Sequence, residues 1–271
     1  MHPEYGQNRN FGGLFASGVT RKARGEAPGA LPCRAGHSRS TGASVAGMTV
    51  PSPPRLASTG SAVHHIAVVR HGETDWNLAG RIQGRTEIPL NDTGRAQAAD
   101  TAAALARAAG TLGLWRGLFA SPLSRASETA EIIGRGLALP APRIDEELWE
   151  RDFGAAEGVC VPEAHERWPG LEIPDAETLE ALGTRTASAF DRILAAAPGS
   201  IVVAHGAMIR AGLGRLTGAP MPRIANGEVW ILRRPDTASD SAARHTAIRL
   251  DVLGDLSAQG TGDRDLEPAS S

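Results

Sequence analysis

The chain is poor in lysine and cysteine and has no long apolar run. Lys22 is its one lysine, so nearly every cation is an arginine; no function is read from that bias. The two cysteines, Cys33 and Cys160, do not make a disulfide framework. Cys33 lies in a glycine- and serine-rich stretch, where pairing with Cys160 is not expected. No stretch is apolar enough to span a bilayer, and the arginine-bearing start lacks the apolar segment of a secretory signal. The formal net charge of -2 points to neither nucleic acid nor a membrane as partner. There is no Gly-x-x-x-x-Gly-Lys, which excludes a P-loop nucleoside triphosphatase. A cytoplasmic location is expected, with a homodimer left open.

What is present is 271 residues of ordinary hydrophobic fraction, 41%, enough for one sizeable domain or two small ones. Residues 1–63 are rich in Gly, Ser, Ala, Pro and Arg and show no helical or strand period. Their apolar residues are too sparse to offset the entropy of ordering, so a disordered extension is expected, or a start set too far upstream of Met48. A domain over 64–253 and a flexible tail over 254–271 complete the expected organisation. Within the domain, Ile66–Val69, Gly117–Ala120 and Ser200–Ala204 read as buried strands. Arg143–Asp145, Glu228–Leu232 and Ile248–Val252 read as further strands. Helices are expected after the Asn91-Asp92-Thr93 cap to Gly110, from Ser121-Pro122 to Leu137, near Pro162–Trp168, over Thr178–Ala197 and over Ala207–Leu216. Strands alternating with helices argue a three-layer α/β/α sandwich with a mostly parallel central sheet. The Ile66 and Ile201 strands would lie at its centre.

Two of these strands end in histidine followed by glycine: Arg70-His71-Gly72 and His205-Gly206. Ligands of open α/β sheets bind at the carboxyl ends of strands. Gly72, with no Cβ, would let backbone approach a ligand closely. A guanidinium at Arg70 suits phosphate oxygens, and an imidazole at His71 suits nucleophilic attack or general base work. Asn77 adds a neutral donor. Arg125 would sit in the first turn of a helix after a strand, where the helix dipole also favours an anion. Taken singly, an Arg-His-Gly is commonplace and Arg125 is an ordinary surface arginine. Glu150, Asp152 and Glu157 are three loop carboxylates between which the chemistry alone does not choose.

Four separated stretches together resemble the histidine phosphatase superfamily, the phosphoglycerate mutase-like proteins. They are Arg70-His71-Gly72-Glu73-Thr74-Asp75-Trp76-Asn77, Ser121-Pro122-Leu123-Ser124-Arg125-Ala126, Leu148-Trp149-Glu150-Arg151-Asp152-Phe153-Gly154 through Glu157-Gly158, and Val202-Val203-Ala204-His205-Gly206-Ala207-Met208-Ile209-Arg210. Gly80-Arg81-Ile82-Gln83-Gly84 fits the same pattern. Glu87 stands where Asp is more usual, and Ala176-Glu177-Thr178 replaces Gly-Glu-Ser, leaving Glu177 as a weaker substrate contact. The resemblance implies a phosphoglycerate mutase-like fold. It implies His71 as nucleophile, Glu150 as proton donor and His205 as a further catalytic group. Arg70, Asn77, Arg125 and His205 would hold the phosphate, with Gln83 and Gly84 towards the substrate. No cofactor and no metal are implied.

The residues support such a mechanism directly. Arg70, Arg125, Asn77 and a protonated His205 would supply donors to a phosphomonoester dianion. A neutral His71, its other nitrogen fixed on the Gly72 backbone, would attack in line, and Glu150 would protonate the leaving alkoxide. The expected substrate is a small phosphorylated metabolite. A phosphatase is favoured over a cofactor-dependent mutase, because the acid motif lacks the Tyr-Gly and Asn-Lys of the mutases and the chain from Gly158 to Val202 is short for a lid. A metal hydrolase is disfavoured by the arginines around the histidines. A non-catalytic phospho-ligand sensor would be expected to lack His71 or Glu150.

Overall fold

The computed structural model describes residues 64–234, 245–251 and 256–257. The extension expected over 1–63 and most of the expected tail lie outside these residues. A seven-stranded sheet runs in the order β3-β2-β4-β1-β5-β6-β7. Its strands are β1 (His65–Arg70), β2 (Gly117–Ala120), β3 (Arg143–Ile144), β4 (Ser200–Ala204), β5 (Val229–Arg233), β6 (Thr246–Leu250) and β7 (Leu256–Ser257). β3, β2, β4 and β1 are mutually parallel, and β5, β6 and β7 continue antiparallel from β1. The sheet is therefore mixed, its parallel half carrying the crossovers. β7 pairs with β6 inside the stretch read from sequence as a tail.

The helices are α1 (Asp75–Leu78), α2 (Asp92–Leu112), α3 (Ser124–Gly136), α4 (Val161–Arg167), α5 (Leu179–Ala196) and α6 (Gly206–Thr217). The sheet is covered on both faces, as alternation along its strands requires. Ala67 and Val69 of β1, with Ile201 and Val203 of β4, face a core closed by Leu105 of α2 and Ala126, Ala130 and Ile133 of α3. Ile66, Val68, Val202 and Ala204 face the opposite core, closed by Leu182, Phe190 and Ile193 of α5 and by Met208 and Leu213 of α6. All of these side chains are buried.

Three boundaries differ from expectation for local reasons. α2 runs through Gly110 to Leu112 and stops at Gly113, whose φ of 91° the glycine accommodates. α3 begins at Ser124 rather than Ser121. Its cap residue, Leu123, offers no side-chain acceptor, and Glu87 supplies one from a distant loop, accepting from the Ser124 N–H at 3.1 Å and its hydroxyl at 2.7 Å. α1 was not foreseen; it is closed by a reciprocal cap between Thr74 and Asn77. The expectation that Cys33 and Cys160 do not pair falls on Cys33, which lies outside the described residues.

Gly72 also differs in role. A Cβ there would overlap the Gly94 carbonyl, and a Cβ on Gly94 would overlap the Glu73 backbone. The glycine after His71 thus lets the loop press on the start of α2, rather than admitting a ligand. Neither backbone can retreat cheaply, so Gly94→Ala is expected to cost about 2 kcal/mol or more. Its melting temperature should fall by roughly 4–8 °C. A scan showing the variant within 1 °C of the parent would contradict this close packing.

Candidate active site

The two histidines meet because their strands are neighbours in register. Arg70 pairs with Ala204, and the His71 N–H donates to the Ala204 carbonyl at 2.9 Å. The next residues, His71 and His205, are both buried, with ring centroids 5.2 Å apart. His71 Nδ1 lies 2.7 Å from the Gly72 carbonyl. A carbonyl only accepts, so Nδ1 carries the proton and Nε2 presents its lone pair. Burial, then the charges of Arg125 and Arg70, hold the His71 ring well below the usual histidine range. Its neutral form is the nucleophilic one.

His205 corrects one expectation. Burial, followed by Arg125 and His71, pushes its pKa well down as well, so in the ligand-free protein the ring is neutral rather than protonated. Its Nε2 meets the Ser121 hydroxyl at 2.7 Å, and its buried Nδ1 has no partner. With Ser121 donating, the ring proton sits on Nδ1, and a neutral His205 is still a donor.

Arg125 is 1% exposed, in the first turn of α3. Its terminal nitrogens donate to the Thr86 carbonyl at 2.8 Å and the Gly84 carbonyl at 2.6 Å, while Nε has no partner. Arg70 is built alike: a terminal nitrogen donates to the Ile224 carbonyl at 2.6 Å, and Nε is unpartnered. Desolvation lowers both guanidinium pKa values to about 10, which leaves them charged at neutral pH. Buried polar atoms rarely go without partners. Here Arg70 Nε, Arg125 Nε and His205 Nδ1 all do, in the immediate setting of His71.

A cavity of about 640 Å³ opens here, lined among others by Arg70, His71, Asn77, Gln83, Gly84, Arg125 and Glu150. Glu150 accepts at Oε1 from the Arg151 N–H (2.9 Å) and the Met208 N–H (3.0 Å), and at Oε2 from the Ala207 N–H (3.2 Å). Two of these donors open α6. Asn77 Oδ1 accepts from Thr74, leaving its amide N–H groups for the cavity. Gln83 Oε1 accepts from the Thr74 hydroxyl at 2.9 Å. Gly84 lines the cavity, but its carbonyl is turned to Arg125.

The other carboxylates are separated from this centre. Glu157 holds the 84–86 loop, accepting from the Arg85 N–H at 2.9 Å and the Thr86 hydroxyl at 2.5 Å. Asp152 accepts from the Gly154 N–H at 2.8 Å. Burial would raise the pKa of Glu177, yet its bonds to Arg185 at 2.7 and 2.9 Å outweigh that and hold it below the usual range. It does not line the cavity. Among the described residues, no three His, Cys, Asp or Glu side chains gather as a metal-holding group.

Residues 66–241 match the model of the histidine phosphatase superfamily, branch 1. The chain belongs to that superfamily. This histidine phosphatase-superfamily chain is 42% identical over 155 residues to an uncharacterized phosphatase, PhoE, of Bacillus subtilis (strain 168), covering 56% of this chain and 77% of that one. It is 35% identical over 191 residues to a metal-independent phosphoserine phosphatase of Arabidopsis thaliana, covering 65% and 79%. A probable phosphoglycerate mutase, GpmB, of Cronobacter sakazakii is 32% identical over 168 residues, covering 57% and 75%. Its fold is similar to that of a mycobacterial glucosyl-3-phosphoglycerate phosphatase, with TM-score 0.57 and 23% identity, covering 68% of this chain and 96% of that one.

Sequence reading missed Asn226 in this superfamily member. Its amide donates to the carbonyls of His71 (3.0 Å) and Gly72 (3.2 Å) and to Asn77 Oδ1 (3.1 Å), tying the histidine loop to α1. Asn226-Gly227 carries only the signal of a turn.

Two buried neutral histidines make stability depend on pH. Unfolded, each takes a proton near pH 6.5; folded, each resists protonation until lower pH. The unfolded state binds more protons in that window, so stability is full above about pH 6.5 and falls as pH falls below it. Each histidine contributes up to about 1.4 kcal/mol per pH unit. His205→Asn should therefore lose about 1 kcal/mol less than the parent between pH 7 and pH 5.5 in urea melts without ligand. Equal losses would show that His205 titrates as it does in the unfolded chain.

Proposed function

We propose that this chain is a metal-independent phosphomonoester hydrolase that works through a phosphohistidine on a small phosphorylated metabolite. The observation that carries the reading is the His71 Nδ1–Gly72 carbonyl bond beside the cavity-lining guanidiniums of Arg70 and Arg125. It supports a lone pair on a fixed neutral ring, next to cations suited to an oxyanion.

In this reading the substrate's phosphoryl group is held by the Arg70 and Arg125 guanidiniums and the Asn77 amide, with His205 behind His71. His71 Nε2 attacks phosphorus in line, the N–P bond forms and the ester P–O bond breaks. The leaving alkoxide takes a proton from Glu150. Oε2, with its single long bond, is the oxygen with room to carry it. Glu150, now a carboxylate, takes a proton from water as that water attacks phosphorus. The N–P bond breaks, releasing inorganic phosphate and restoring neutral His71. The fixed guanidinium charges do what a metal ion does at other phosphatases.

The phosphatase names of the Bacillus and Arabidopsis relatives support hydrolysis. The mutase name of the Cronobacter relative supports transfer back to substrate as the second reading. The stretch between Gly158 and Ser200 favours hydrolysis, since α4, a single 3-10 turn and α5 fill it. That leaves little chain to seal the site from water.

His71→Ala should lose at least about three orders of magnitude in kcat/KM for an aryl phosphate. The parent should trap an acid-labile, base-stable phosphoryl label that the variant lacks, and should keep its activity in EDTA. Label at parental stoichiometry in His71→Ala would remove His71 from its role. Given 3-phosphoglycerate with catalytic 2,3-bisphosphoglycerate, the enzyme should release phosphate; efficient 2-phosphoglycerate formation without free phosphate would instead establish the mutase.

A further inference from the structure

We propose that Arg210 and Arg223 form a subsite for a second anionic group, a carboxylate or a phosphate, on the substrate whose phosphoryl group sits at His71. This rests on the phosphomonoesterase reading above and names the substrate class it acts on.

The cavity is larger than a phosphoryl group needs, and its charge is one-sided. Arg70, Arg81, Arg125, Arg210 and Arg223 line it, against the one carboxylate of Glu150. Arg70 is half-buried and Arg125 buried, both line the cavity beside His71, and both are held by main-chain carbonyls. Arg81 donates to the Gly158 carbonyl at 2.6 Å. Arg210 and Arg223 are different. Both are exposed on the cavity wall, and among the described residues neither makes an ion pair or a side-chain hydrogen bond.

Both also start close to the phosphoryl anchor. Ile224, directly after Arg223, holds Arg70 through its carbonyl at 2.6 Å. Gly206, the first residue of α6, lies so near Arg70 that a Cβ there would be 3.2 Å from its Nε. Arg210 is four positions along the same helix, so it shares that face about one turn, or 5 Å, further out. Two long cationic side chains thus line the cavity from α6 and from the segment before β5, both rooted near Arg70. Leu78, Ile82, Phe153, Val161 and Leu171 also line the cavity and suit the uncharged body of a ligand. A compact phosphomonoester bearing a second anion at its far end matches all three regions. An uncharged far end would make no use of these two exposed cations.

The test uses a matched series of phenyl phosphate, 4-carboxyphenyl phosphate and 1,4-phenylene bisphosphate. It is run on the full chain and on the Arg210→Gln, Arg223→Gln double variant. Hydrolysis is read as kcat/KM, and binding is read by calorimetry in a His71→Ala background. The parent should prefer one or both of the doubly anionic esters over phenyl phosphate by about tenfold, the scale of a partly screened charge-assisted contact. The preference should shrink as salt rises, and it should fall to within about twofold in the double variant. The larger of the two preferences names the second group as carboxylate or phosphate. No preference in the parent, or a preference kept in the double variant, would overturn the subsite. If no ester is hydrolysed, the phosphatase reading fails by itself, and the calorimetric ratios still decide the subsite. Melting temperatures check that the double variant is folded.

Discussion

The register between β1 and β4 is the constraint on which the site depends. Side chains on a strand alternate faces, so a slip of one residue would exchange the inner faces of both cores and carry His71 away from His205. The slip is resisted by burial on both sides: Ala67 and Val69 fit one core, Ile66 and Val68 the other. The reactive residues begin where the ladder ends, and the last ladder bond is made by His71 itself. The positions of the two imidazoles therefore inherit the stability of the sheet.

Around that pair the protein buries cations that it only partly satisfies. Arg125 is gripped by two carbonyls and Arg70 by one, so both guanidinium planes are set before any ligand arrives. The grip on Arg125 is itself gripped, because Glu157 fixes the loop that provides the carbonyls. Donors buried without a protein partner cost free energy. An oxyanion that relieves the cost is bound by groups that need no reorganisation. Glu150 completes the balance as an anion-bearing group braced on the first turn of α6.

Much of the architecture was legible from local pattern. The Ile66 and Ile201 strands are short apolar runs that end in histidine, and both are central. α5 announced itself through its apolar stripe and its Thr178 cap, which accepts from the Ala181 N–H. Features that depend on contacts between distant segments were not legible. Gly72 reads as an opening for a ligand until Gly94 is seen against it. Glu157 and Glu150 are chemically equivalent in sequence, and only folding sends one to a loop and the other to the cavity. Gly110 looks like a helix stop, but α2 runs past it to Leu112, with Ala109 and Leu112 packed on the core. The charge state of His205 depends first on its burial and then on Arg125, His71 and Arg70 arriving beside it, which no local window contains.

The hold on Arg125 has a consequence for how this surface can change. Its acceptors are the main-chain carbonyls of Gly84 and Thr86, and every amino acid carries such a carbonyl. Side chains near the mouth can therefore be exchanged without loosening the guanidinium, provided the loop keeps its path. That path needs Gly84 at its φ of +56° and the Glu157 carboxylate beneath it. The Arg125 guanidinium is thus shielded from the identity of its neighbours. The rim is free to be retuned, so new substrate preferences can be reached from this scaffold by a few surface changes that leave the reacting centre as it stands.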